Sequence, residues 1–168
     1  MTLFESAGDS SRRRRSAAGR TTGTEYELLA ITPDISFFSS LAFNGTPHGW
    51  KVRWARSVSA AMGILACRTI PVILYDWCSA DEDWATSIER LRLIPEDPCI
   101  VLAARGVDED LWRRAIGLRV YDVVCRTGEL GHLVATLQFA WKWKAGRRGR
   151  AGLHISRNTN PLLYRLDR

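Results

Sequence analysis

Long apolar runs are missing from this chain. No stretch of about 18 consecutive apolar residues exists, so no segment is built to cross a bilayer as a helix. The amino-terminal arginines have no apolar block behind them, so the start does not read as a secretory signal. Proline (6) and glycine (13) are too few in 168 residues for a linker-dominated or collagen-like chain. A hydrophobic fraction of 46% is too high for wholesale disorder. Cysteine is scarce as well. Cys67, Cys78, Cys99 and Cys125 form no C-x-x-C pair and no cluster with histidine, which removes the usual zinc and dithiol motifs. Three of the four lie in apolar runs and are expected to be small buried hydrophobes of a reduced, cytoplasmic protein. His48, His132 and His154 are isolated and lack ligand spacing, so they read as surface or satisfied polar residues.

What is present begins with charge, and the charge is unevenly placed. The chain carries a net +6, yet residues 1–24 account for +3 and residues 142–168 for +7, leaving the middle at −4. The basicity belongs to the ends and says little about the folded part. Residues 1–24, with Arg12 to Arg15 consecutive, show no hydrophobic period and are expected to be a disordered basic arm. Residues 146–168 turn to glycine and arginine and are expected to be a basic, loosely ordered tail. The folded domain is then residues 25–145, with no internal repeat.

Within that domain two patterns alternate. Short apolar runs occur at Tyr26–Ile31, Trp50–Ala55, Pro71–Trp77, Pro98–Ala104 and Val120–Cys125. Three of them are apolar on both alternations, as strands covered on both faces require. The stretches between have helical spacing. One starts at Ser57 or Ser59, one follows Asp81, one starts near Asp108 and the last runs from Gly128 through Trp141. Carboxylates at Asp81 to Asp83 and Asp108 to Asp110 suit helix starts, where the macrodipole favours them. Trp84 and Trp112 fall on apolar helical faces and read as core. Five strands alternating with five helices predict an α/β fold with a parallel sheet flanked by helices. Such folds bind ligands or do chemistry at the carboxyl ends of their strands.

Those ends supply a short set of residues: Thr32, Pro33 and Asp34; Asp76, Trp77 and Cys78; Ala103, Ala104 and Arg105; Cys125, Arg126 and Thr127. No glycine-rich phosphate loop follows the first strand, which argues against a nucleotide fold of the G-x-G-x-x-G or P-loop kind. No serine or histidine pairs with a base there, so a hydrolase triad lacks its parts and no enzyme activity is expected.

The segments PVILYDW, PCIVLAAR and AIGLRVYDVVCR, taken in this order, resemble the receiver domain of bacterial response regulators over about residues 25–145. The resemblance implies a five-stranded parallel sheet of flavodoxin-like order and a place in phosphorelay (two-component) signal transduction. In that family a histidine kinase phosphorylates the aspartate that closes the third strand, here Asp76. It also implies Mg²⁺, held by an acidic pair on the first strand, by that aspartate and by the carbonyl two residues on, here Cys78. The acidic pair falls on Thr32 and Pro33, with Asp34 just beyond, so Asp34, Asp76 and the Cys78 carbonyl remain as a weak metal set. Ala103 stands where a hydroxyl residue is usual. Arg126 replaces a lysine, followed by Thr127 in place of proline. The switch aromatic falls on Val123, with Tyr121 two positions away on the same alternation. Arg126 keeps the positive charge and suits a bidentate pair with the Asp76 carboxylate.

Blander roles stand beside these. Asp76 also suits a helix cap or a structural ion pair, and Arg126 a surface arginine lying along apolar neighbours. The segment FAWKWKAGRR, with Trp141, Trp143, Lys142, Lys144, Arg147 and Arg148, reads either as a basic contact surface or as the solvated end of the last helix. The leading expectation is a stand-alone, degenerate receiver acting as a phosphorylation-independent protein-interaction module. Its partner would be a histidine kinase or another signalling protein, or a second copy through the last helix and strand. The alternatives are an active receiver phosphorylated on Asp76, and a nucleic-acid-associated protein binding through its basic tails, disfavoured because no reader motif is attached.

Overall fold

The computed structural model describes residues 26–78 and 83–150. Five strands, β1 (Tyr26–Ile31), β2 (Trp50–Ala55), β3 (Val72–Asp76), β4 (Cys99–Ala104) and β5 (Asp122–Cys125), alternate with five helices. These are α1 (Ile35–Gly45), α2 (Val58–Cys67), α3 (Trp84–Arg92), α4 (Glu109–Gly117) and α5 (Leu130–Arg150), with a short 3₁₀ turn at Thr46–His48. The strands form one parallel sheet in the order β2-β1-β3-β4-β5. This is the flavodoxin-like receiver order that the sequence predicts.

Side-chain alternation builds two cores. Leu29, Ile31, Ile73, Tyr75, Ile100 and Leu102 face α2, α3 and α4 through Ala61, Ile88, Leu91 and Leu111. Leu28, Ala30, Val72, Leu74 and Val101 face α1 and α5 through Leu41, Leu133 and Leu137. Every residue of β3 and β4 is buried, which explains why both read as continuous apolar runs. Trp84 is buried and Trp112 packs on the first core. Four helices start on side-chain caps. Asp34, Ser57, Asp83 and Asp108 each accept hydrogen bonds from first-turn N–H groups that the helix itself leaves unpaired.

Several expectations are corrected. Of the four cysteines only Cys99 is buried; Cys67 and Cys125 are exposed and Cys78 is half-buried, because three of them fall at element ends. The fifth strand starts at Asp122 rather than Val120, since Arg119 turns the chain with φ 60° and the Tyr121 N–H already bonds Ile100 O at 2.7 Å. Tyr121 therefore does not share the face of Val123. It packs with the α1/α5 core, its ring 5.6 Å from Trp143, while Val123 joins the opposite core.

The basic segment is also more structural than its composition suggests. α5 continues to Arg150, so a boundary at 145 falls inside a helix. Trp141 meets Tyr26 edge-on at 4.6 Å, and Lys144 is buried, its Nζ donating to the Asp97 carbonyl. Residues 1–25 and 151–168, with Asp81 and His154, lie outside the described residues. No helix among those described is long and apolar enough to cross a membrane.

Candidate functional site

Parallel strands release their ends on one edge of the sheet, and there β1, β3, β4 and β5 bring Thr32, Asp76, Ala103 and Arg126 together. Asp76 closes β3 and is fully buried. A buried carboxylate needs donors, and it has them. Oδ2 accepts from the Thr32 hydroxyl at 2.7 Å, Oδ1 accepts from the Cys78 N–H at 3.1 Å, and Arg126 Nε lies 3.2 Å from Oδ2. The last contact is an ion pair without hydrogen-bond alignment. Thr32 uses its hydroxyl twice, since the same oxygen accepts from the Asp34 N–H at 3.1 Å. Its carbonyl accepts from Trp54 Nε1 at 2.8 Å, which fixes the end of β1 against β2.

Arg126 spans the site. Its backbone N–H bonds Ala104 O at 2.7 Å, holding the start of the β5–α5 turn against the end of β4. From there the guanidinium donates through Nη2 to Asp34 Oδ2, approaches Asp76, and sits 4.8 Å from the centre of the Phe37 ring. Nη1 reaches Cys78 Sγ at 3.8 Å. Burial works against its charge, but Asp76 and Asp34 outweigh that and raise its pKa. The Asp34 carboxyl is held below its ordinary value, first by the Phe37 N–H at the cap of α1, which outweighs the opposing effect of burial, and then by Arg126 and the Ser36 N–H. One side chain thus caps a helix and pairs the arginine.

The remaining site positions behave differently. Ala103 pairs in register with Asp76 and is fully buried, offering no hydroxyl. Thr127 does not reach Asp76; its hydroxyl lies 3.3 Å from Cys125 Sγ. That contact, with the Thr127 and Gly128 N–H groups, lowers the Cys125 pKa. A metal between Asp34 and Asp76 would have to displace the guanidinium that bridges them. Among the described residues no group of three or more His, Cys, Asp or Glu is placed to hold a metal ion. The residues present do not fit Mg²⁺, which prefers an octahedron of oxygens.

Sequence reasoning expected a bidentate Arg126–Asp76 pair; the two side chains meet, but through one unaligned Nε contact, and the guanidinium donates to Asp34 instead. The same reasoning placed Thr32 only as a missing acid and passed over Phe37 and Trp54. For Thr32 the signal was present, because a hydroxyl at a strand end opposite a buried carboxylate is a natural donor. Phe37 and Trp54 carried no such signal.

No protein-family model and no curated protein matches the chain. Solved structures do. The signal receiver domain of an HD domain-containing protein from Pseudomonas fluorescens Pf-5 is 19% identical with a TM-score of 0.66, over 74% of this chain and 92% of that one. A response regulator from Thermotoga maritima is 18% identical at TM-score 0.63, covering 69% and 97%. A response regulator from Burkholderia pseudomallei, solved with a phosphorylated aspartic acid, calcium ion and citrate, is 17% identical at 0.60, covering 77% and 76%. The chain has the receiver-domain fold.

Proposed function

We propose that this chain is a degenerate receiver-type module of two-component signalling that works in the cytoplasm without phosphoryl transfer. It acts through its surface on a histidine kinase or another signalling protein. The observation that carries this reading is Arg126, which lies between Asp34 and Asp76 and supplies the cation that a phosphorylatable site takes from a metal. Phosphoryl transfer depends on a cation that can neutralise three equatorial oxygens and hold an in-line geometry. A guanidinium already committed to two carboxylates does neither. Ala103 adds no hydroxyl to follow a phosphoryl group, and Thr32 keeps Asp76 Oδ2 occupied. Incubation with acetyl phosphate and Mg²⁺, followed by intact-mass measurement, tests the reading. The expected result is an unmodified chain. A species about 80 Da heavier, the mass of one phosphoryl group, that vanishes in Asp76→Asn would establish an active acceptor instead.

A further inference from the structure

We propose that the outer face of the second half of α5 docks on an anionic membrane surface. The inner face of this helix is already in use. Leu133, Leu137 and Ala140 are buried in the α1/α5 core, and Lys144, on the same side, is buried with its Nζ on the Asp97 carbonyl. Helical spacing turns Phe139, Lys142, Gly146 and Arg147 the other way, and all four are exposed, Phe139 by 64%.

Two features of that face fit a lipid surface. The first is that each cation lies beside an aromatic ring. Lys142 Nζ is 5.8 Å from the centre of the Phe139 ring, and the Arg147 guanidinium is 4.7 Å from that of Trp143. Trp143 is half-buried and backed by Tyr121, whereas Phe139 projects from the helix. At a bilayer interface rings settle below the headgroups while lysine and arginine reach the phosphates, so one face satisfies both groups. The phosphates of a nucleic-acid duplex would engage the cations and leave the Phe139 ring in water. The second feature is charge. From Leu130 to Leu166 the sequence has no Asp or Glu and seven Lys or Arg. The two ends of the chain do not reverse this, since residues 1–25 hold five arginines against three acids and residues 151–168 three against one. Anionic headgroups attract such a cluster.

This half of α5 lies at the opposite edge of the sheet from Arg126. Trp141 meets Tyr26 at the start of β1, and Lys144 meets the Asp97 that precedes β4. Docking there holds the module at a membrane and leaves the Asp76–Arg126 edge uncovered. This inference goes beyond the phosphorylation-independent reading and does not require it.

The full-length chain is sedimented with sucrose-loaded vesicles of phosphatidylcholine containing about 30 mol% phosphatidylglycerol, and with vesicles of phosphatidylcholine alone, in about 0.1 M NaCl. The expected result is binding to the anionic vesicles that is at least about tenfold stronger than to the neutral ones and falls as salt rises. Lys142→Glu combined with Arg147→Glu should weaken it by about tenfold or more. Phe139→Ser, which leaves the charge unchanged, should weaken it by about threefold. Lys142→Arg with Arg147→Lys should bind as the wild type does. All three positions are exposed, so thermal melts should show each variant folded. Equal binding to neutral vesicles, or undiminished binding in the charge-reversed variant or in Phe139→Ser, would overturn the proposal. Failure to sediment with the anionic vesicles would overturn it too, and binding of a random-sequence DNA duplex in that case would assign the face to nucleic acid. A phosphorylated species in the acetyl phosphate experiment would overturn only the earlier reading and leave this measurement standing.

Discussion

Asp34, Asp76, Cys78 and Phe37 all meet on one guanidinium, so substitutions at the site should be read through Arg126. Arg126→Ala removes the cation and leaves Asp76 with the Thr32 hydroxyl and the Cys78 N–H. Losing a partner of a buried charge costs about 1–3 kcal/mol, and urea denaturation should show a loss of that size. Asp76→Asn should cost less, because the amide keeps the shape and an acceptor oxygen while the arginine keeps Asp34. A larger loss in Asp76→Asn than in Arg126→Ala would contradict this ranking. Asp34 makes a separate prediction in acid. Its pKa is lowered on folding from an ordinary 3.8, so its contribution is present above that value and disappears as pH falls through the folded value. Asp34→Asn keeps a good helix cap and removes the titration together with the charge that pairs Arg126. The urea midpoint of the wild type should fall more steeply below about pH 4 than that of Asp34→Asn. Equal slopes would place the acid sensitivity elsewhere. The metal follows the same logic. Mg²⁺ should bind in the millimolar range or more weakly, read by the fluorescence of Trp77 beside Asp76. Saturation at micromolar Mg²⁺ would show that the guanidinium yields its place.

At the scale of elements, strands were more legible than helices. β1 and β2 have the bounds that their apolar runs predict, and β3 and β4 differ by a residue at their ends, because a buried parallel strand needs apolar side chains on both faces. β5 was overestimated, since Val120 is apolar for a different reason: it packs as the chain leaves α4, before pairing begins. α1 gave little periodic signal. It buries Leu41 yet leaves Phe43 78% exposed, and its clearest mark is the Asp34 cap. In the candidate site, the Asp76–Arg126 pair was legible through the family register. The Asp34–Arg126 pair joins residues 92 positions apart, and the ring of Phe37 under the guanidinium depends on how α1 docks; neither leaves a local pattern. The same holds for Lys144, whose composition says surface and whose contact with Asp97 says anchor. The α4–β5 connection offers a test of local strain. Arg119 adopts φ 60° while exposed, a conformation that costs a non-glycine residue about 1 kcal/mol. Arg119→Gly should raise stability by about 0.5–1 kcal/mol in chemical denaturation. A loss would mean that the arginine side chain contributes more than its backbone costs.

For the molecule as a whole, the sheet is shared by two cores and neither can open without exposing β3 and β4. We expect a single cooperative transition. The basic arm of residues 1–24 carries no core-facing period, so its deletion should leave Tm nearly unchanged in a thermal melt. A fall equivalent to more than about 2 kcal/mol would mean that the arm packs on the domain. The guanidinium between the two carboxylates has one more consequence at this scale. A metal ion is a solute, and a site that uses one follows its supply, its competitors and any chelator present. A cation carried on the chain has no free concentration and no dissociation constant. EDTA cannot remove it, and depletion of divalent ions cannot empty it. With Arg126 in place, the sheet edge carries its cation whatever the supply of divalent ions, as a part of the chain.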